Sequence, residues 1–303
     1  MNNNKIFRNQ TIVLGIISIC ILSGCYNPVM DKKSETVEVK NETSVEYNKS
    51  YGVFLGANPD DLMYNYDNDY DIIVIDAQEF SKQDITKLKS NGTTVYSYLN
   101  IGSVENYRPY YSKYEKYTLD VYENWEDEKW IDVSEPKWQS FILDDLAPSI
   151  LDKGVDGLFI DNVDVYYHYQ DEPVFEGLTN ILTGLKEKGT YILINGGDIY
   201  VHDYFDAYDN ISDIMDGVNQ ETVFSAIDWD NDSFKESSME DRKYFMYYVK
   251  NVATEGLDVY LLEYTDDENL KKQIVDYCEN NNFYYYISDD LYLPAPNSTE
   301  RKE

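Results

Sequence analysis

Eight short apolar runs, separated mostly by stretches with helical spacing, constrain this chain more than any other feature it has. The runs occupy residues 51–57, 71–76, 93–101, 155–161, 190–195, 216–221, 257–263 and 282–288. They are rich in β-branched and aromatic residues and are short, as strands are. The clearest helical stretch is 136–153, where Trp138, Phe141, Ile142, Leu146, Ile150 and Leu151 share a face and Gly154 ends the element. Pro148 inside it predicts a kink or break. Further helices are expected over 82–90, 174–188, 240–254 and 268–279, ending respectively at Asn91-Gly92, Gly189, Gly256 and Asn280-Asn281. Such alternation over about 240 residues predicts a parallel sheet covered by helices, closed as a single-domain (β/α)₈ TIM barrel. A doubly wound open sheet would hold fewer strands and usually carry a Gly-rich dinucleotide fingerprint, and this sequence has none.

The barrel is expected over 50–293. Ahead of it, Lys5 and Arg8 precede an apolar run at 11–22, shorter than the roughly 20 residues a bilayer span needs and suited to a secretory signal. The run ends in Leu22-Ser23-Gly24-Cys25, which resembles the bacterial lipobox, where cleavage precedes a cysteine that then takes lipid. An ordinary signal peptide containing a cysteine is the alternative. The expectation is therefore a lipoprotein signal peptide over 1–24, lipid on Cys25, and a domain held outside the cytoplasm at a membrane. Residues 25–49 are polar and without apolar periodicity, as a flexible tether is, and 294–303 read as a tail. With Cys20 removed and Cys25 lipidated, Cys278 stands alone, so neither a disulfide framework nor a Cys-based zinc site is expected.

Acidic residues number 57 against 25 basic, a net charge of −32, and loss of Lys5 and Arg8 with a signal would take it to −34. That balance argues against nucleic acid, which requires basic surface. It leaves two readings, a solubility device or attraction of a cationic substrate. The 31 tyrosines suit wet clefts as well as cores, because Tyr is apolar in body and polar at its tip. A long excursion at 103–135 carries Tyr107, Tyr110, Tyr111, Tyr114, Tyr117, Tyr122, Trp125 and Trp130. Insertions of that length are commonly lids or binding walls.

Polar residues fall where the apolar runs stop. Residues 72–75 end at Asp76, 95–99 at Asn100, 157–160 at Asp161-Asn162-Val163-Asp164, 191–194 at Asn195, 217–220 at Glu221, 260–262 at Glu263, and 286–288 at Asp289-Asp290. In a barrel these ends converge on one mouth, where the active site is built. Helix N-caps are the competing use for such acids, most strongly for Asp198, Asp289 and Asp290. Glu is a poor cap, and Asp161 is followed by Asn and a second acid, so Asp161 and Glu221 call for another explanation. The two histidines, His168 and His202, have no ligand spacing; an all-oxygen Mg²⁺ or Ca²⁺ site stays open, although no Ca²⁺-loop motif is present. Two carboxylates suffice to hydrolyse a glycosidic bond, one ionised and one kept protonated. On the fourth and sixth strands, Asp161 and Glu221 would have Cα atoms about 10 Å apart, and inward side chains close that gap to the spacing of a retaining pair.

The segment Val155-Asp156-Gly157-Leu158-Phe159-Ile160-Asp161-Asn162-Val163-Asp164-Val165-Tyr166 resembles the DG(V/L)F-x-DNVD-x-Y block of the endo-α-1,4-polygalactosaminidase family, glycoside hydrolase family 114. Residues 71–76, 96–108 and Trp130-Ile131-Asp132-Val133 are similar to its second strand, its Y-x-(S/N)-x-G-x-x-E-x-(W/Y)-R stretch and its W-L-D-(V/I) segment. The resemblance implies a nucleophile-like role for Asp161 and an acid/base role for Glu221, with Asp76, Tyr98, Asn100, Asn162, Asn195 and Tyr264 around the substrate and Asp164 orienting its neighbours. Glu263-Tyr264 replaces the Asp-Tyr pair common in relatives, which shifts a third carboxylate, and Glu263 and Asp164 are expected among the substrate-binding residues as well. The implied substrate is a galactosamine-containing exopolysaccharide, cationic where deacetylated, cleaved without a metal or cofactor. A non-catalytic polysaccharide-binding lipoprotein using the same cleft, and a metal-dependent enzyme on the same barrel, are the alternatives.

Overall fold

In the computed structural model, which describes residues 50–296 except 67–68, 123–124 and 232, the eight apolar runs form eight parallel strands. These are β1 (Tyr51–Phe54), β2 (Ile72–Ile75), β3 (Thr94–Asn100), β4 (Gly157–Asp161), β5 (Tyr191–Asn195), β6 (Gly217–Glu221), β7 (Asp258–Tyr264) and β8 (Tyr284–Ser288), hydrogen-bonded in chain order. No described ladder laces β8 to β1. The seam is closed instead by Phe54 against Tyr286, ring centroids 5.5 Å apart, and by the Gly56 N–H donating to the Leu293 carbonyl at 3.0 Å. The result is the nearly closed (β/α)₈ barrel that the alternation predicts. The expected signal peptide, Cys25, the tether and residues 297–303 lie outside the described residues.

Strand periodicity sorts the core into two layers. Ile73, Ile75, Val95, Leu99, Leu158, Ile160, Ile192 and Ile194 face outward into the helices. Tyr51, Val53, Ile72, Val74, Tyr96, Tyr98, Phe159 and Leu193 fill the lumen with Tyr260, Leu262, Tyr264 and Tyr284. Burial of each such large side chain stabilises by about 1.5–3 kcal/mol. Many of the tyrosines are therefore lumen packing: Tyr96 stacks on Tyr191 at 4.9 Å and Tyr260 on Tyr284 at 4.4 Å. Their polar tips stay satisfied, as where the Tyr191 hydroxyl donates to Asp258 at 2.7 Å.

The helices follow their local chemistry. Glu172–Lys186 begins where the Asp171 carboxylate accepts the Val174 N–H, carries Pro173 in its first turn, and buries Val174, Leu178, Ile181, Leu182 and Leu185. The kink predicted at Pro148 takes the form of a π-helical stretch. The chain runs Pro136–Ser140 as α-helix, Phe141–Leu146 as π-helix and Ala147–Leu151 as α-helix again. The extra residue in that turn accommodates a ring that can neither donate nor sit over a regular α-turn. Helices at Pro59–Asn65 and Asp198–Tyr208 are additional to those the spacing predicts. After β8 the described chain ends in turns, and Ala295, beyond the expected boundary at 293, is buried in the core. The excursion after β3 is not an open loop: Ser103–Glu105, Thr118–Val121 and Glu128–Ile131 form a three-stranded antiparallel sheet.

Candidate active site

The inward parity that places Phe159 and Leu193 in the lumen also turns Asp161, Asn195 and Glu221 into the mouth at the C-terminal ends of β4, β5 and β6. Asn195 pairs in register with Asn219, so Glu221 reaches one inward step higher. The Asn195 amide nitrogen then serves both acids, donating to Asp161 Oδ1 at 2.9 Å and to Glu221 Oε1 at 2.8 Å. Its own carbonyl oxygen accepts from the Asn219 amide at 2.7 Å, and Asn219 accepts from the Tyr51 hydroxyl at 3.1 Å. The chain of donors fixes which end of Asn195 faces the carboxylates. Tyr264, at the end of β7, donates its hydroxyl to Glu221 Oε2 at 2.8 Å. The sequence marks Asn195 and Tyr264; Asn219 and Tyr51 go unmarked, although inward parity two residues before Glu221 points to Asn219.

Burial raises the pKa of both acids; the Glu105 charge adds to the rise at Asp161, and the Asp161 charge to the rise at Glu221. Asp161 is offset by hydrogen bonds from Asn195, the Asn162 backbone and Tyr98. Glu221 has only Asn195 and Tyr264 against burial and the Asp161 charge. Asp161 thus accepts more compensating hydrogen bonds than Glu221 does.

Around this pair the other predicted residues divide. Asp76 is tied to Arg108 at 2.7 Å, and Arg108 holds Glu105 at 2.9 Å, all three buried. The Tyr98 hydroxyl donates to Glu105 at 3.3 Å and also supports Asp161. Asn100, in register with Asp161 across β3 and β4, and Asn162 are both buried beside Ser103. Both donate to the Ser103 hydroxyl, at 2.6 and 2.9 Å, and Ser103 donates to Glu128 Oε2 at 2.6 Å. The close approach needs Gly102, because a Cβ there would stand 1.7 Å from the Asn162 carbonyl oxygen. Asp164 accepts the Gly197 N–H at 3.2 Å and so holds the turn after β5. Gly196 and Gly197 both have positive φ, and a Cβ on Gly196 would meet the Asp164 carboxylate at 2.6 Å.

Glu263 departs from expectation. It shares the outward parity of Val259 and Leu261, is fully buried, and accepts the Phe224 N–H at 2.9 Å and the Ser225 N–H and hydroxyl at 2.8 and 2.6 Å. It pins the loop after β6 rather than lining the cleft. Conversely, Glu128 enters the site from the excursion sheet with no strand-end signal in the sequence. Burial, and then the Glu105 charge, push its carboxyl up to about 8. Among the described residues, no group of three or more His, Cys, Asp or Glu side chains could hold a metal ion.

Three carboxyls, Glu263 buried and Glu128 and Asp164 half-buried, titrate high in the folded state: Glu128 at about 8, and Asp164 and Glu263 at about 7, each chiefly through desolvation. A folded pKa above the unfolded value gives stability that is present below the ordinary carboxylate range, near pH 4, and lost as pH rises through 7 to 8. The melting temperature should therefore fall between pH 5.5 and 8.5, and Glu128→Gln should flatten the upper part of that slope. A melting temperature that climbs over this range would contradict the burial described for these groups.

Residues 33–293 match glycoside-hydrolase family GH114. The uncharacterized protein MJ1477 of Methanocaldococcus jannaschii is 24% identical over 320 residues, covering 90% of each chain. The glycoside hydrolase domain of PelA from Pseudomonas aeruginosa superposes with a TM-score of 0.67 at 17% identity, over 80% of this chain and 96% of that one. Aspergillus fumigatus Ega3, solved in complex with galactosamine, gives 0.64 at 19% identity, over 82% and 93%. At those identities the superpositions establish the shared barrel.

Proposed function

This chain belongs to glycoside-hydrolase family GH114, and from that premise we propose that it is an exported, lipid-anchored, endo-acting hydrolase of an α-1,4-linked, galactosamine-containing polysaccharide. The observation that carries the reading is the single amide nitrogen of Asn195 reaching both carboxylates. Two N–H bonds diverging from one nitrogen hold the facing oxygens about 5 Å apart, the separation of a retaining pair. The ionised Asp161 attacks the anomeric carbon while Glu221 donates its proton to the departing glycosidic oxygen, leaving a glycosyl ester on Asp161. Glu221, now a carboxylate, takes a proton from water, whose oxygen displaces Asp161 and restores both groups. Tyr264 holds Glu221 in line through both steps, and Tyr98 stabilises the Asp161 anion.

The substrate class rests on the family and on charge. A chain at −32 attracts a cationic polymer and repels an acidic one, which favours a partly deacetylated amino-sugar polysaccharide. The galactosamine bound to the related Ega3 barrel is consistent with it. Among the described residues no helix is long and apolar enough to cross a membrane; in this reading Cys25 supplies the attachment, and Cys25→Ser should move the protein from the membrane fraction to the soluble one.

The test is product formation from a panel of exopolysaccharides that includes partly deacetylated galactosamine polymers, with wild type beside Asp161→Asn and Glu221→Gln. Internal shortening of one polymer by the wild type alone is the expected result. Equal binding by all three proteins without cleavage would replace the hydrolase with a polysaccharide-binding protein.

A further inference from the structure

Three aromatic rings meet on the rim of the mouth, each delivered by the segment that follows a different strand. Trp125 comes from the excursion after β3, Trp229 from the tip of the hairpin Ser225–Asp228/Ser233–Glu236 after β6, and Tyr292 from the turn after β8. The Trp125 ring centroid lies 6.1 Å from Trp229 and 6.2 Å from Tyr292, edge-on to each at 81° and 79°. Edge-on packing leaves the neighbours' faces uncovered, and Trp229 and Tyr292 are 45% and 55% exposed. A single exposed aromatic is ordinary, but three converging from separate loops form a patch that calls for a partner.

The patch is mechanically tied to the acids below it. The hairpin that carries Trp229 also carries Phe234, which stacks on Tyr264 at 5.6 Å, and Tyr264 is bonded to Glu221. On the other side, Tyr122 stacks on Trp130 at 4.3 Å. Burial, with the charges of Asp161, Asp164, Glu128 and Glu221, raises its hydroxyl pKa, so it overlooks the same acids. Trp125 follows three residues on. Exposed carboxylates stand near each ring in sequence: Glu126 and Asp230 adjoin Trp125 and Trp229, and Asp289 lies three residues before Tyr292.

We propose that Trp125, Trp229 and Tyr292 form a distal sugar-binding subsite that stacks on a galacto-configured amino sugar outside the bond being cut. The proposal rests on the hydrolase reading above and adds where the polymer runs beyond the scissile bond. The axial C4 hydroxyl of a galacto ring leaves C3–H, C4–H and C5–H on one face, an apolar patch that fits an indole or phenol face. A free 2-ammonium adds attraction to the ring quadrupole and to the flanking carboxylates.

The experiment uses the full chain carrying Glu221→Gln, so that ligand is held without turnover. Partly deacetylated α-1,4-galactosamine oligosaccharides of increasing length are titrated by calorimetry and by tryptophan fluorescence. Affinity should rise with length in this parent. Adding Trp229→Ala or Tyr292→Ala should remove about tenfold of the gain for the longest oligomers and the Trp229 substitution most of the fluorescence change. Tyr247→Ala, an exposed tyrosine on the outer helix Met239–Thr254, should bind like the parent. If wild type cleaves the polymer yet the rim variants bind every length as tightly as the parent, the subsite is wrong and the hydrolase stands. If wild type neither cleaves nor binds these sugars, the hydrolase reading fails and the subsite with it.

Discussion

Glu221→Gln should lower kcat on a polymer substrate by about 10³-fold or more, within the range that general acid–base catalysis supplies or beyond it, while the barrel melts close to the wild type. The amide keeps an oxygen for the Asn195 bond of 2.8 Å but cannot donate a proton of useful acidity. The loss should shrink sharply on aryl glycosides, whose leaving groups need no proton. Asp161→Asn should be equally damaging on both substrate types, because no leaving group substitutes for the nucleophile. Azide distinguishes the roles further. Added to Glu221→Ala it should give a glycosyl azide of retained configuration, because it replaces water on the ester of Asp161. Added to Asp161→Ala it should give the inverted product, because it replaces Asp161 itself. Retained product from both variants would overturn the assignment.

Arg108→Met should cost about 3–5 kcal/mol of folding free energy, the usual consequence of removing one partner from a buried ion pair. The guanidinium bonds Asp76 at 2.7 Å and Glu105 at 2.9 Å with its side chain only 2% exposed. Without it two carboxylates remain in a space that cannot hydrate them. Adding Asp76→Asn and Glu105→Gln should recover more than half of the loss, because the penalty lies in the stranded charges rather than in the missing bonds. Chemical denaturation of the single and triple variants checks this. Activity should fall in the single variant as well, because Glu105 accepts the Tyr98 hydroxyl that also faces Asp161. A single variant as stable as the wild type would mean that water reaches this cluster.

The fold was legible because its signal is periodic. Each strand repeats every second residue and each helix has an apolar face, so β1 to β8 and most helices follow from spacing alone. The acids at strand ends were legible for the same reason, and Asp161, Asn195, Glu221 and Tyr264 do come together. What spacing does not carry is parity at the last residue of a strand. Glu263 and Tyr264 are neighbours, yet one pins a loop and the other reaches the mouth. Residues recruited from insertions are harder still: Glu128 arrives on an antiparallel sheet whose pairing of Ser103 with Trp130 joins residues far apart in sequence. The rim rings come from three segments far apart in sequence, and no local pattern ties them to one another.

The polypeptide enters the barrel at Ser50, at the foot of β1, whereas Asp161 and Glu221 sit at the heads of β4 and β6. In a parallel barrel all the feet lie on one side. The point of entry and the mouth are thus at opposite poles, and any load drawn on the chain upstream of Ser50 is applied to the closed pole.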